Sequence, residues 1–232
     1  MDPETLKVKV NEQESVTALL YAAPKNKRLH TTLVLGHGAG GNQLSGFMRL
    51  FASGLASRGF DVVTFNFMYS EHGRSAPDPK ARLESCYQAV VDTVSSNKKL
   101  KGNRLLIGGK SMGGRIASQV AADPSASQSS RVAGLVFLGY PLHPPGKPEQ
   151  LRDKHLKDVR APMLFVQGTR DPFGATEEIR EVIKRLRLRA TLYLVEGGDH
   201  SFKVPKSLGL TQNEVFEGMM NEIGSWANDK EI

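Results

Sequence analysis

Short apolar runs rich in β-branched residues alternate with longer runs of helical periodicity along most of this 232-residue chain. After the first two runs, the predicted strands cover residues 31–35, 61–67, 104–108, 133–140, 163–168 and 191–195. Apolar residues recur at the spacing of amphipathic helices over residues 43–58, 80–100, 113–122, 175–188 and 211–228. Strands that alternate with helices build a parallel sheet with helices on both faces. The chain is therefore predicted to have an α/β fold.

The N-terminal part departs from this alternation, because two apolar runs follow one another with only a short polar segment between them. Residues 6–10 and 15–22 predict an antiparallel hairpin ahead of a mostly parallel, twisted sheet of about seven or eight strands. The one long connection, residues 140–162, is too short for a large lid, and the polar residues 123–131 predict a surface loop. Because this length fits one domain, we expect residues 1–232 to form a single one.

The formal net charge of +7 raises the question of acidic partners. The densest basic stretch, residues 180–189, has apolar residues on one helical face and Arg and Lys on the other, which is typical of a solvent-exposed helix. No aromatic-interleaved or zinc-spaced pattern accompanies this stretch. Nucleic-acid binding is therefore not expected.

Two further features bear on the location of the protein. Cys86 is the single cysteine, so no disulfide can form within the chain, as in a reducing compartment. The first ten residues lack the apolar core of a signal peptide, and no run approaches the roughly 18 apolar residues of a membrane span. We therefore expect a protein of the cytoplasm, with the nucleus as the alternative, and no membrane association.

Residues 36–41, Gly-His-Gly-Ala-Gly-Gly, match the G-x-G-x-x-G pattern of dinucleotide-binding turns. The full fingerprint also needs an acidic residue at the end of the next strand, where it holds a ribose hydroxyl. That strand ends at Asn66 and Phe67, and its acidic residue, Asp61, lies at its start. Nucleotide binding is therefore not expected, and His37 is interpreted as a structural hydrogen-bonding residue.

Residues 109–113, Gly-Lys-Ser-Met-Gly, fit the G-x-S-x-G pattern between a predicted strand and a predicted helix. In that setting the serine lies on a sharp turn with its hydroxyl projecting from the sheet, and the residues two before and two after it must lack side chains. The free N–H groups at the start of the next helix favour negative charge at the same place. Ser111 is therefore a candidate nucleophile, with a simple tight turn as the alternative.

A serine hydroxyl needs a base, and the base needs an orienting carboxylate. In this architecture the acid and then the histidine follow the serine, each after a strand. Asp171 follows one predicted strand, and His200 lies in a glycine-containing loop after the next. Taken singly, the aspartate would be explained as a turn former and the histidine as a surface residue. Their order after Ser111 instead predicts a catalytic triad.

The same pattern predicts an oxyanion hole and a substrate pocket. One oxyanion donor is the N–H of the residue after the serine, Met112, and the other comes from the loop after an earlier strand, for which Ala39 is the candidate. Side chains at the same sheet edge are candidates for an apolar substrate pocket, with core packing as the alternative for each. They are Met68, Tyr69, Leu142, Phe173 and Phe202.

With Ser111, Asp171 and His200 in this order, the chain resembles the α/β-hydrolases from about Thr31 to Trp226. Within that superfamily it is similar to the small testis-expressed and NSL-complex-subunit hydrolase-like family. The stretches that carry this likeness are GGKSMGGRIAS, GLVFLGYPLHPPGKPEQLRDKHL, VQGTRDPFG and GGDHSF. The superfamily implies hydrolysis of esters, thioesters or amides without a cofactor. The nearer family implies ill-defined substrates and, in a chromatin-complex relative, a scaffold role.

We therefore expect a carboxylesterase-like serine hydrolase that acts on a small-molecule acyl substrate. No cofactor is expected, and no metal, because the sequence has no H-E-x-x-H motif and no cysteine cluster. A lactone-cleaving variant, as in dienelactone hydrolases, would use the same frame, but those enzymes prefer cysteine where this chain has Ser111. The alternative from another class is a catalytically weak or inactive protein that serves as an interaction scaffold in a protein complex.

Overall fold

The computed structural model describes residues 2–125 and 131–229, so residues 126–130 of the predicted surface loop lie outside the described residues. The strands are β1 (Glu4–Lys9), β2 (Ser15–Tyr21), β3 (Thr31–Gly36), β4 (Phe60–Phe65), β5 (Arg104–Lys110), β6 (Val132–Leu138), β7 (Met163–Gly168) and β8 (Ala190–Val195). The helices are α1 (Gly46–Ser57), α2 (Met68–Glu71), α3 (Lys80–Ser96), α4 (Met112–Ala122), α5 (Thr176–Leu186) and α6 (Gln212–Asn228).

The strands form one sheet in the order β1-β2-β4-β3-β5-β6-β7-β8. β2 runs antiparallel to both of its neighbours, β1 and β4, and the remaining pairs are parallel. The predicted N-terminal hairpin and the mostly parallel sheet are therefore both confirmed. Because β3 to β8 run in one direction, the loops that follow them meet at one edge of the sheet.

Helices cover both faces of this sheet, since its central strands are buried on both sides. All six residues of β3, β4 and β7 are buried, as expected for strands between two helical layers. On one face Phe51 of α1 and Met219 of α6 pack against the sheet. On the other face Tyr87 of α3, Ile116 of α4 and Ile179 of α5 do so. The α/β-hydrolase architecture expected from the sequence is thus confirmed, and no large lid interrupts the part of the chain described.

One predicted boundary differs in a way that affects the functional edge of the sheet. β4 ends at Phe65 rather than at residue 67. The side chain of Asn66 accepts a hydrogen bond from the amide of Gln43 over 3.0 Å and donates one to Glu71 over 2.9 Å, and these bonds tie the end of the strand to the neighbouring loop and helix. The chain then enters the short helix α2, which strand and helix periodicity did not predict because four residues are too few to show a period.

Among the described residues, no helix combines the length and the apolar composition that crossing a bilayer requires.

Candidate active site

Ser111 lies at the junction of β5 and α4 with φ 50° and ψ −116°. A non-glycine residue in such a backbone conformation is strained and persists only where the surrounding structure fixes it. The amide of Ser111 donates to Leu138 of the neighbouring strand over 3.0 Å, which holds the turn. Because α4 begins at the next residue, the positive end of the helix dipole lies beside the Ser111 hydroxyl.

The glycines around Ser111 allow the end of β3 to pass close to the turn. A Cβ atom on Gly109 would lie 2.2 Å from the carbonyl oxygen of Gly36, and one on Gly113 would lie 2.1 Å from the same atom. Both separations are far shorter than a van der Waals contact. The spacing of G-x-S-x-G therefore has the steric cause that the sequence indicated.

The structure brings the three residues of the predicted triad within hydrogen-bonding distance of one another. The Oγ atom of Ser111 lies 2.9 Å from Nε2 of His200. The other ring nitrogen, Nδ1 of His200, lies 2.7 Å from Oδ2 of Asp171. In this arrangement Nδ1–H donates to the carboxylate, so that Nε2 is left to accept the proton of the serine hydroxyl.

The carboxylate of Asp171 is held by hydrogen bonds from other groups besides His200. The carboxylate is buried, with 2% of the residue exposed. Its Oδ1 atom accepts a hydrogen bond from the amide of Phe173 over 2.9 Å, and Oδ2 accepts a second bond from Nε2 of Gln167 over 3.0 Å. A buried carboxylate with several donors is held in one orientation. The imidazole of His200 is therefore held by an acceptor that cannot rotate freely.

Gln167 is a site residue that was not among those predicted. It lies in β7 and is completely buried. Its Oε1 atom accepts from the amide of Tyr140 over 2.8 Å, and its Nε2 also donates to the carbonyl of Gly174 over 2.9 Å. The sequence does contain a signal for this role. Gln167 is the one polar side chain in an otherwise apolar strand, Met-Leu-Phe-Val-Gln-Gly, and it lies four residues before Asp171.

Lys110 is a second residue that was not among the predicted catalytic, oxyanion or pocket residues. Its ammonium donates to the carbonyl oxygen of His200 over 2.6 Å and lies 5.2 Å from the centre of the Phe202 ring. Burial lowers the pKa of Lys110 to about 8, although the carboxylates of Asp171 and Asp199 act to raise it. Lys110 thus links the turn that carries the candidate nucleophile to the loop that carries the candidate base.

The loop after β3 is shaped around the carbonyl of Gly38. That oxygen accepts hydrogen bonds from Nδ1 of His37 over 2.9 Å, from the amide of Gly41 over 3.1 Å and from the hydroxyl of Tyr69 over 3.4 Å. In a trans peptide the N–H points away from the C=O, so the amide of Ala39 is turned to the opposite side. Within residues 2–125 and 131–229, the amides of Ala39 and Met112 donate to no other group.

His37 holds this loop and is itself buried, with 1% of the residue exposed. Besides the bond from Nδ1, its Nε2 atom accepts the amide of Phe67 over 3.2 Å. Burial lowers the pKa of His37 to about 4, while the hydrogen bond to Gly38 acts to raise it. The ring is therefore neutral at pH 7 and joins the end of β3 to the chain after β4.

Four of the five predicted pocket residues lie in the core instead. Met68, Tyr69, Leu142 and Phe202 are at most 1% exposed, because α2 and the loops turn them inward. The fifth, Phe173, is half-buried and packs on the imidazole of His200 with ring centres 4.2 Å apart.

The open space beside Ser111 is a different cleft of about 370 Å³. It lies between the loop after β3 and the N-terminal parts of α1 and α6. Side chains of both helices and the residues that neighbour the candidate triad form its wall. They include Ala39, Phe47, Leu50, Lys110, Ser201 and Phe216, and we call this space the α1–α6 cleft.

Asp61 plays no part at this edge of the sheet. It lies near the start of β4, buried, in an ion pair with Arg28 at 2.8 Å. It also accepts hydrogen bonds from the amide of Ala23 over 3.1 Å and from Asn103 over 2.8 Å. The glycine-rich loop after β3 therefore has no ribose-binding carboxylate from this residue.

Comparison with known proteins agrees with the architecture. The family model of the alpha/beta hydrolase domain matches residues 29–228. A dienelactone hydrolase from Anabaena variabilis is 19% identical, with a TM-score of 0.75 and 97% of each chain covered. An alpha-beta serine hydrolase homologue from Coxiella burnetii is 19% identical, with a TM-score of 0.70 over 97% of this chain and 96% of that one. A serine hydrolase without a lid from Xanthomonas campestris is 16% identical, with a TM-score of 0.71 over 97% and 95%.

Proposed function

This chain belongs to the alpha/beta hydrolase domain family, and we propose that it is a carboxylesterase-like serine hydrolase that cleaves a small ester, a thioester or a related acyl bond. The observation that carries the proposal is the continuous hydrogen-bond chain from Ser111 through His200 to Asp171, with distances of 2.9 and 2.7 Å. We also propose that residues 1–232 form one domain, since the described strands share a single sheet.

In the first half of the reaction, Nε2 of His200 takes the proton of the Ser111 hydroxyl while Oγ bonds to the acyl carbon. Asp171 stabilises the imidazolium that forms, because its carboxylate accepts the Nδ1–H bond over 2.7 Å. The leaving alcohol or thiol then takes the proton from His200 as its bond to the acyl carbon breaks. The acyl group remains on Ser111 as an ester.

The negative oxygen of the tetrahedral intermediate needs two donors that are already in place. The amides of Ala39 and Met112 serve this purpose in the proposal, since each is free of another acceptor in the described part of the chain. The three bonds to the Gly38 carbonyl support this role, because they fix the peptide plane before substrate arrives. Removing one such donor from a serine hydrolase typically lowers kcat by about 10²–10³.

In the second half, water attacks the acyl-enzyme. His200 accepts a proton from the water and returns it to Oγ of Ser111 as the acid product leaves. The chemistry thus uses the side chains of Ser111, His200 and Asp171 with two main-chain amides. The three side chains and the Ala39 amide lie in loops or turns that follow parallel strands, and Met112 is the first residue of α4.

A fluorophosphonate probe tests the proposal directly, because it reacts preferentially with an activated serine. We expect wild type to be labelled and Ser111→Ala to lose labelling completely. Ser118→Ala is the matched control: Ser118 also lies within 2.7 Å of a histidine, His155, but it is fully buried. That variant should be labelled as well as wild type.

The opposite result would favour the alternative function. If folded wild type is not labelled and does not hydrolyse p-nitrophenyl acetate, the enzyme proposal is wrong. The hydrolase fold would then serve as an interaction module in a protein complex, as the resemblance to the NSL-complex-subunit family implies.

A further inference from the structure

The α1–α6 cleft is lined by residues that neighbour the proposed reaction centre. Lys110 and Ser201, which line it, are the direct neighbours of Ser111 and His200, and Ala39 supplies a proposed oxyanion donor from its rim. Gly38 also lines it, and a Cβ on Gly38 would lie 3.6 Å from Cβ of Ser111. An acyl group attached to Ser111 would therefore have this cleft beside it.

The far wall of the cleft is apolar. Phe47, Leu50 and Phe216 line it and are only half-buried. The rings of Phe47 and Phe216 meet edge to face with centres 5.6 Å apart, and Phe47 stacks on Phe51 at 4.3 Å. Apolar side chains left open to water next to a reactive group are typical of a ligand site, because binding an apolar group removes their surface from water.

Charge in the cleft argues against an ionic substrate group. Among the described residues that line it, Lys110 is the one Lys, Arg, Asp or Glu. Its ammonium already donates to the carbonyl of His200 and lies over the ring of Phe202. This cation on the cleft wall is therefore already engaged with the loop of His200.

The size of the cleft limits the chain that it can hold. A water molecule takes up about 30 Å³ in the liquid, and a methylene group is of similar size. The volume of 370 Å³ then has room for roughly a dozen such groups. Part of that space is occupied by the carbonyl and the leaving group, which leaves an acyl chain of roughly eight to ten carbons.

We propose that the α1–α6 cleft binds an unbranched acyl chain of medium length and sets the acyl specificity of this protein. The predicted effect on ester hydrolysis rests on the proposed function, whereas the predicted binding of the acyl chain does not. Each methylene buried against the apolar wall should raise kcat/KM about fourfold. The rise should stop when the chain fills the cleft.

The first experiment measures kcat/KM for p-nitrophenyl acetate, butyrate, octanoate, decanoate and palmitate. We expect a rise to octanoate or decanoate and a fall at palmitate. Gly46→Phe should lower kcat/KM for octanoate at least tenfold and should lower the ratio of kcat/KM for octanoate to that for acetate. Gly46 lines the cleft, and a Cβ there meets no atom within 4 Å, so the new ring can enter the open space without displacing its neighbours.

Gly224→Phe is the matched control for this substitution. Gly224 lies in α6 outside the cleft, and its Cβ would also meet no atom within 4 Å. We expect this variant to keep the chain-length profile of wild type. If wild type hydrolyses all the esters at similar rates, or if Gly46→Phe leaves the octanoate rate unchanged, the proposed acyl site is wrong while the enzyme proposal stands.

A binding measurement tests the acyl site independently of the proposed esterase activity. Ser111→Ala cannot turn over an ester, so sodium decanoate can be titrated into it by calorimetry and compared with sodium acetate. We expect decanoate to bind at least tenfold more tightly than acetate, and the Ser111→Ala, Gly46→Phe double variant to lose that preference. Equal affinities would overturn the acyl site whether or not wild type proves to be an esterase.

Discussion

The ammonium of Lys110 donates a hydrogen bond of 2.6 Å to the main-chain carbonyl of His200. Lys110 immediately precedes Ser111, so one side chain connects the turn of the proposed nucleophile to the loop of the proposed base. The bond lies on the main chain of His200 and leaves both ring nitrogens free for Ser111 and Asp171. Lys110 is therefore a positioning residue rather than a participant in the proposed proton transfer.

Replacing Lys110 by methionine should separate activity from stability. Lys110→Met keeps the length of the side chain but removes the donor, so the loop of His200 is no longer held at its working distance, and we expect kcat to fall about tenfold. Since burial lowers the pKa of Lys110 to about 8, the folded state disfavours its charge. The melting temperature should therefore be unchanged or higher, as measured by calorimetry.

Lys203→Met provides the control, because Lys203 is exposed and lies in the same loop region. It should change neither kcat nor the melting temperature. A Lys110→Met protein with full kcat and a lower melting temperature would show that Lys110 serves stability and not the position of His200.

Gln167 should matter for both activity and stability. Gln167→Met leaves Oδ2 of Asp171 without one of its donors and leaves the amide of Tyr140 without its acceptor. Unsatisfied buried polar groups destabilise a protein by about 1–3 kcal/mol each. We expect a loss in that range by urea unfolding and a tenfold or greater fall in kcat with KM little changed, since the base rather than the substrate is displaced. The exposed Gln150→Met should alter neither quantity.

The contact of Ser111 and Asp171 with His200 could be predicted because it follows from chain direction. Ser111, Asp171 and His200 come after β5, β7 and β8, and parallel strands end at one edge. The apolar runs identified those strands, and the order of the serine, the aspartate and the histidine along the chain identified the three residues. Neither step required knowing how any helix packs.

The α1–α6 cleft could not be predicted in this way, because exposure depends on packing between distant helices. Phe47 and Phe216 belong to the apolar stripes of α1 and α6, and in the sequence they are indistinguishable from core residues such as Phe51. Phe202 adopts a positive φ of 61°, which turns its ring inward beneath Lys110. Sequence periodicity carries no information about such a turn, which explains why Phe202 was expected at the pocket.

Gly113 provides a test of whether the close approach of β3 to the turn at Ser111 requires glycine. A Cβ on Gly113 would lie 2.1 Å from the carbonyl oxygen of Gly36 and 2.8 Å from that of His37. Both neighbours belong to the main chain of β3 and the loop that follows it, so they cannot move aside independently. We expect Gly113→Ala to be recovered as insoluble protein or to lose more than about 3 kcal/mol of unfolding free energy.

Gly224→Ala is the informative counterpart. Gly224 lies inside α6, where alanine is favoured over glycine by about 0.5–1 kcal/mol, and the added Cβ meets no atom within 4 Å. This variant should be more stable than wild type in urea unfolding. If both alanine variants behave alike, close approach of β3 to the turn is not what requires glycine at position 113.

Two buried histidines should make the protein less stable in mild acid. Burial lowers the pKa of His37 to about 4, and burial with the charges of Arg115 and Lys80 does the same for His155. In the unfolded chain a histidine titrates near pH 6.5. Between these values the unfolded state binds more protons, so the stabilisation is complete above about pH 6.5 and is lost as the pH falls towards 4.

The expected slope is at most about 1.4 kcal/mol of unfolding free energy per pH unit for each histidine, measured by urea unfolding between about pH 5 and pH 7. His155→Gln should reduce the slope by about half, because glutamine can still hydrogen-bond to Ser118, which lies 2.7 Å from Nε2 of His155, but does not titrate. His72→Gln is the control, since His72 is exposed and its replacement should leave the slope unchanged. If His155→Gln has the same slope as wild type, His155 is protonated in the folded protein and its burial does not keep it neutral.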